Sequence, residues 1–102
     1  MTSGVTVTRG SLYLPKEVYD RYFAGVEAVV LQRRSEDLMV LPVRHAPAGG
    51  YLLKRRNARG DRVVSAPEFF RSQGVDDDRE IDSTIQWDAA ASALLAGGLF
   101  RH

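Results

Sequence analysis

Between positions 54 and 62 the chain carries Lys54, Arg55, Arg56, Arg59 and Arg62, with Asp61 as the lone acid among them. A basic β-ribbon of this kind can enter a nucleic-acid groove or track phosphates. The simpler reading is an exposed hairpin whose Lys and Arg keep a sheet edge soluble, although five cations in nine residues exceed what edge protection needs. The acidic run Asp76-Asp77-Asp78-Arg79-Glu80 is the candidate intramolecular partner that would neutralise the ribbon. The same aspartates lack the alternating spacing of a calcium loop, so a solvated loop is expected and no metal site is assigned. Arg59-Gly60-Asp61 reads as a turn served by its glycine. His45 and His102 are the only histidines, there is no cysteine, and neither His has a partner at metal or triad spacing. No pair of Asp, Glu, Tyr or Lys is visibly arranged for acid–base work, so no catalytic residue and no cofactor is assigned. Tyr13, Tyr19, Tyr22, Phe23 and Tyr51 have the residue types of a base-stacking platform, but their helical spacing and apolar neighbours point to core packing. Trp87 reads as a core anchor.

The elements that must position these groups follow from local pattern. Val5 and Val7 alternate with Thr6 and Thr8 as in a strand, Arg9-Gly10-Ser11 is a turn or bulge, and 12–14 is extended. Leu14 precedes a proline and should stay extended, and Pro15 suits the first helical position. The helix pairs Val18 with Tyr22 and Tyr19 with Phe23, and ends at Gly25. Residues 26–32 and 38–43 form a hairpin around the polar loop 33–37. Its strands are apolar on both faces: Val26, Ala28 and Val30 on one, Val29 and Leu31 on the other. Both faces need cover, and a second subunit is one candidate for it. After a Pro/Ala/Gly linker at 45–50, residues 51–56 and 62–65 form a second hairpin, with Gly60 in a left-handed turn position. Ser65-Ala66-Pro67-Glu68 reads as a capping box opening a short helix over 66–73, stopped by Gly74. Residues 83–87 read as a strand. Residues 88–96 read as an Ala-rich helix capped by Asp88, or alternatively as a turn into a last strand. Residues 97–102 read as a frayed tail. The segments 12–26 and 63–75 share the order strand, Pro, Glu, aromatics, Arg, Gly-Val, which we take as convergent helix punctuation rather than duplication.

The fold class expected is therefore α+β: antiparallel β-hairpins in a small barrel-like sheet, with two short Pro-initiated helices. The whole chain, 1–102, is expected to be a single domain, with units at 5–43 and 51–96.

The order of residues 5–43 resembles the swapped-hairpin domain of AbrB-type transcription regulators and the related half-repeat of MraZ proteins. The residues that carry the likeness are Val5, Val7, Arg9, Gly10, Leu12, Leu14-Pro15-Lys16-Glu17-Val18, Val29, Leu31, Asp37, Leu38, Val40, Pro42 and Val43. The resemblance implies a homodimer in which two chains interleave their hairpins into one barrel. It also implies DNA contact through basic residues near the first turns: Arg9 and Lys16, with Arg33 and Arg34 nearby and the 54–62 ribbon in support.

The bulk numbers set the competing expectation. With 14 Lys and Arg against 13 Asp and Glu, the net charge of +1 demands no polyanion partner. At 44% hydrophobic and 26% charged residues, the composition is that of a globular domain. No signal peptide and no membrane span is read, so a soluble cytoplasmic protein is expected. Near-neutral charge and a doubly apolar hairpin motivate a non-catalytic protein-interaction module, such as an accessory or maturation subunit of a larger enzyme, as the alternative to a DNA-binding regulator.

Overall fold

The computed structural model describes residues 4–43 and 50–101. His45, His102 and most of the linker expected at 45–50 lie outside these residues. The chain begins with β1 (Gly4–Thr8) and β2 (Ser11–Leu14). Thr8 pairs with Ser11, so Arg9 and Gly10 alone make the turn, with φ of 53° and 75°. Positive φ at both turn residues matches the right-handed twist of the strands. Gly10 is required for a second reason: a Cβ there would sit 2.6 Å from Pro67 Cα.

Pro15 does not occupy the first helical position expected of it. It stands just before helix α1 (Lys16–Val18) with ψ of 153°, and its carbonyl accepts the N–H groups of Val18 and Tyr19. A π-helical turn, Tyr19–Phe23, follows directly. Strands β3 (Ala28–Arg34) and β4 (Asp37–Val43) come next. Arg34 pairs with Asp37, so the polar loop contracts to Ser35 and Glu36, and Arg33 and Arg34 become strand residues.

The stretch after the linker divides into β5 (Tyr51–Leu52) and β6 (Lys54–Arg55). Strand β5 pairs with β3, whereas β6 pairs with β7 (Arg62–Ser65). The change of partner falls at buried Leu53, whose N–H donates to Glu27 O at 2.8 Å. Helix α2 (Pro67–Ser72) starts on its proline. The expected capping box does not form: Ser65 is the last residue of β7, paired with Ser11, and Ala66 holds the cap position without a side-chain bond.

Strand β8 (Glu80–Asp88) then runs nine residues to β9 (Ala93–Ala96). The Ala-rich helix favoured at 88–96 is absent, and the alternative of a turn into a last strand is what the chain adopts. Asp88 Oδ1 accepts the N–H groups of Ala90 and Ala91, and Ser92 takes a φ of 51°. An Asx-type turn removes those donors from a helix, and Ala93 is then free to pair with Asp88. The tail is not frayed. Leu99 and Phe100 are each 1% exposed, Phe100 N–H donates to Glu36 O, and Gly98 N–H donates to Asp37 Oδ1.

The nine strands form one antiparallel sheet in the order β5-β3-β4-β9-β8-β1-β2-β7-β6. Strands β5 and β6 at its two ends are continuous in the chain, so the sheet nearly closes into a barrel. The fold is mainly β, with little helix. Inward residues Val7, Leu12, Leu14, Val29, Leu38, Val40 and Leu94 make the core. Phe23, Phe70 and Phe100 enter it from the helical turns and the tail.

The ladders carry an internal two-fold pattern. Each half of the chain supplies two hairpins with a helical segment between them. The ladders between halves are β2 with β7, β4 with β9, β1 with β8, and β3 with β5. Exchanging the halves maps the first two onto themselves and the last two onto each other. The turns obey the same exchange. The β1–β2 turn docks at the start of α2, where Ala66 N–H donates to Gly10 O. The β6–β7 loop docks at the start of α1, where Lys16 N–H donates to Asp61 Oδ1 at 2.9 Å. The shared order of segments 12–26 and 63–75 thus falls on topologically equivalent places.

Candidate functional site

Asp61 organises the ribbon. Its side chain is 8% exposed and accepts from Lys16 N–H, from Asn57 Nδ2 at 3.0 Å and from Arg59 Nε at 3.1 Å. Asn57 Oδ1 in turn accepts the N–H groups of Gly60 and Asp61, which folds the loop over itself. The Arg59 guanidinium, with Asn57 and the Lys16 N–H, holds the Asp61 carboxyl well below the usual carboxylate range. The Arg59-Gly60-Asp61 tripeptide is therefore consumed internally, its aspartate anchoring α1.

The other predicted cations are deployed in different ways. Lys16 forms an ion pair with Asp20 one turn along, which raises its pKa. Arg55 donates to the loop carbonyls of Asn57 and Ala58. Arg56 lies over the Tyr13 ring at 4.6 Å and Arg62 over Tyr19 at 4.0 Å. Lys54 is exposed on β6. Arg9 stands at the β1–β2 turn. Arg34 pairs with Asp88 at 2.8 Å, which lowers the Asp88 pKa, and Arg33 bonds Ser35 O and lies over Phe100.

These positions do not make one face. Strand β8 pairs Glu80 with Thr8, beside Arg9, and ends at Asp88, beside Arg34. Eight steps of about 3.3 Å separate the two ends, or roughly 26 Å. Arg34 thus reaches the far end of β8 from Arg9, and Arg33, over Phe100, does not join the surface that Arg9 shares with the ribbon. Among the described residues, the acidic run makes no ion pair with the ribbon it was expected to neutralise, although its Glu80 lines the same cleft as Arg56 and Arg59. Asp77 pairs with Arg71 of α2 at 3.4 Å, and the ribbon's ion pair is with its own Asp61.

Arg9, Arg56 and Arg59 do share one feature, an open cleft of about 680 Å³ on the outer face of β1 and β2. Thr6, Thr8 and Tyr13 form its floor, Leu14, Pro15 and Glu17 one end, and Arg9 and Glu80 border it, with Arg56, Arg59 and Asp61 completing the wall. Three cations and three carboxylates therefore line it. Sequence reading placed Tyr13 in the core, gave Thr6, Thr8 and Glu17 no site role, and took Glu80 only as part of the acidic run. The signal available was the alternation along β1, which turns the threonines outward as Val5 and Val7 turn in.

A second surface lies on the outer face of β5, β3, β4 and β9. Alternation puts Val29, Leu31, Leu38 and Val40 into the core cluster and Ala28, Val30, Met39, Leu41, Val43 and Leu95 on the other face, where Ala28 and Met39 are themselves buried, at 0% and 9% exposed. Pairing aligns Leu52, Ala28 and Val43 in one row, Val30 and Leu41 in the next, and Met39 with Leu95 in a third. Val30, Leu41, Val43 and Leu95 are half-buried, and Leu52 is 53% exposed, the one exposed large apolar side chain among the described residues. Core side chains of this chain cover the inner face of the hairpin. The outer face is the apolar surface left over.

Among the described residues, no group of three or more His, Cys, Asp or Glu is placed to hold a metal ion, and no helix is long and apolar enough to cross a membrane. No family model matches the chain, and no curated protein or solved structure matches it.

Proposed function

We propose that this chain is a small non-catalytic binding domain whose partner is a protein, acting as an accessory or assembly module of a larger complex. The observation that carries the reading is the apolar outer face of the β3–β4 hairpin and its neighbours, with Leu52 at its edge. Contiguous apolar surface of this kind marks protein contacts more often than isolated exposed residues do. The charge arrangement supports it as well: the predicted cations do not gather on one surface, and Lys16, Arg34 and Arg59 are already in ion pairs.

The test is affinity capture from the native host with the wild-type chain and with Leu52→Glu. The expected result is a stoichiometric protein partner retained by the first and lost by the second. Equal capture by both would remove this face from the reading.

A second reading keeps the AbrB/MraZ-like regulator. Two observations favour it: the two-fold strand pattern, and the cations Arg9, Lys54 and Arg56, which form no ion pair among the described residues and stand on the ribbon side. In that reading the hairpins of one chain interleave with each other, and a homodimer would bring two ribbons together. Fluorescence anisotropy with duplex DNA across a salt series tests it. Affinity that falls steeply with salt and is lost on Arg9→Glu/Arg56→Glu supports contact with phosphates. Absence of binding at low salt excludes it.

A further inference from the structure

Four charges lining the cleft, Arg9, Arg56, Glu17 and Glu80, form no ion pair among the described residues. They stand as two mixed pairs. Arg9 and Glu80 lie at one end, where Thr8 pairs with Glu80. Arg56, stacked on Tyr13, and Glu17, just past Pro15, lie at the other. From Ser11 to Leu14, β2 advances three steps of about 3.3 Å, so the two ends are roughly 10 Å apart.

We propose that this cleft binds an extended polypeptide segment carrying both acidic and basic side chains. The proposal rests on the protein-partner reading above and names a second contact for that partner. Electrostatic complementarity decides the class. A polyanion laid along the cleft would satisfy Arg9 and Arg56 but meet Glu17 and Glu80, and a polycation would meet the reverse. Juxtaposed like charges are one way an interface rejects a wrong partner. A segment with both signs completes all four. Its same-face side chains recur about every 6.6 Å in extended geometry, so neighbouring ones reach both ends of a cleft this long. The Thr8 hydroxyl and the Tyr13 phenol supply hydrogen bonding between the ends. The Arg56 guanidinium, placed over the Tyr13 ring at 4.6 Å, is held ready for a carboxylate.

The experiment is an amide NMR titration of the full chain with four probes: a Glu-Ser-Lys-Ser repeat peptide, which carries both signs on one face when extended, all-Glu and all-Lys peptides of the same length, and single-stranded oligothymidylate. The expected result is shifts at Arg9, Tyr13 and Arg56 with the mixed-charge repeat peptide alone. Arg9→Glu should weaken that binding about tenfold. Arg9→Glu combined with Glu80→Arg should restore it, because the mixed pair is only exchanged. Tighter binding of the all-Glu peptide or the oligonucleotide would overturn the proposal in favour of a polyanion site, and shifts from no probe would overturn it outright. Neither result touches the Leu52 face, which the capture experiment decides separately.

Discussion

Two glycines show how single residues hold this fold. Gly10 and Gly25 both have φ near the left-handed region, 75° and 80°, but only Gly10 is crowded, with Pro67 where its Cβ would be. Gly10→Ala should lower stability by about 2–3 kcal/mol and Gly25→Ala by about 1 kcal/mol in urea unfolding. Equal losses would show that the contact with Pro67 is unimportant. Asp61 adds a pH dependence with a definite sign. Its pKa is depressed in the folded protein, so its contribution is complete above the carboxylate pKa of the unfolded chain, about 3.9, and is lost as pH falls toward the folded value. Asp61→Asn should therefore melt several degrees below wild type at neutral pH, with the gap narrowing by pH 3 or so. A gap that persists unchanged in acid would mean that the charge is not what the site uses. This residue is where sequence reading stopped short. The ribbon was legible as a run of cations, but the partner of its one acid is the N–H of Lys16, forty-five positions away. Local pattern does not carry such a contact.

Elements were legible where the signal was local. The Arg9-Gly10 turn, the break at Gly74 and the alternating faces of β3 follow from glycine placement and period-two patterning. Residues 88–96 misled because alanine favours helix while Asp88 can equally close a turn, and the choice was made by pairing not only with neighbouring β8 but also with β4, which lies far off in sequence. The tail misled because glycines and a chain end suggest fraying, yet Phe100 is buried against Phe69 and held through Glu36. Phe100→Ala should destabilise by about 3–5 kcal/mol, as for a fully packed core aromatic. A change within about 0.5 kcal/mol, typical of a surface site, would return the tail to the frayed state expected from sequence.

At the scale of the molecule, neither half owns its core. Every ladder that joins the halves is reciprocal, and the helix starts are clasped by turns from the opposite half. The barrel should therefore unfold as one cooperative unit. Phe23→Ala, in the first half, and Phe70→Ala, in the second, should each shift the same single transition, seen alike by near- and far-ultraviolet circular dichroism. Two separable transitions would contradict the interleaving. The functional reading is also a statement about the whole surface: an apolar sheet face on one side, predicted cations that do not gather on one surface, and a mixed-charge cleft between β1 and the ribbon. The measurement that tests it most directly is size-exclusion chromatography with light scattering on material captured from the host, at low and at high salt, with the 260/280 nm absorbance ratio recorded. The account predicts a complex of this chain with a protein, free of nucleic acid at both salts and dissociated by Leu52→Glu. Nucleic acid carried at low salt and shed at high salt, with Leu52→Glu indistinguishable from wild type, would contradict it.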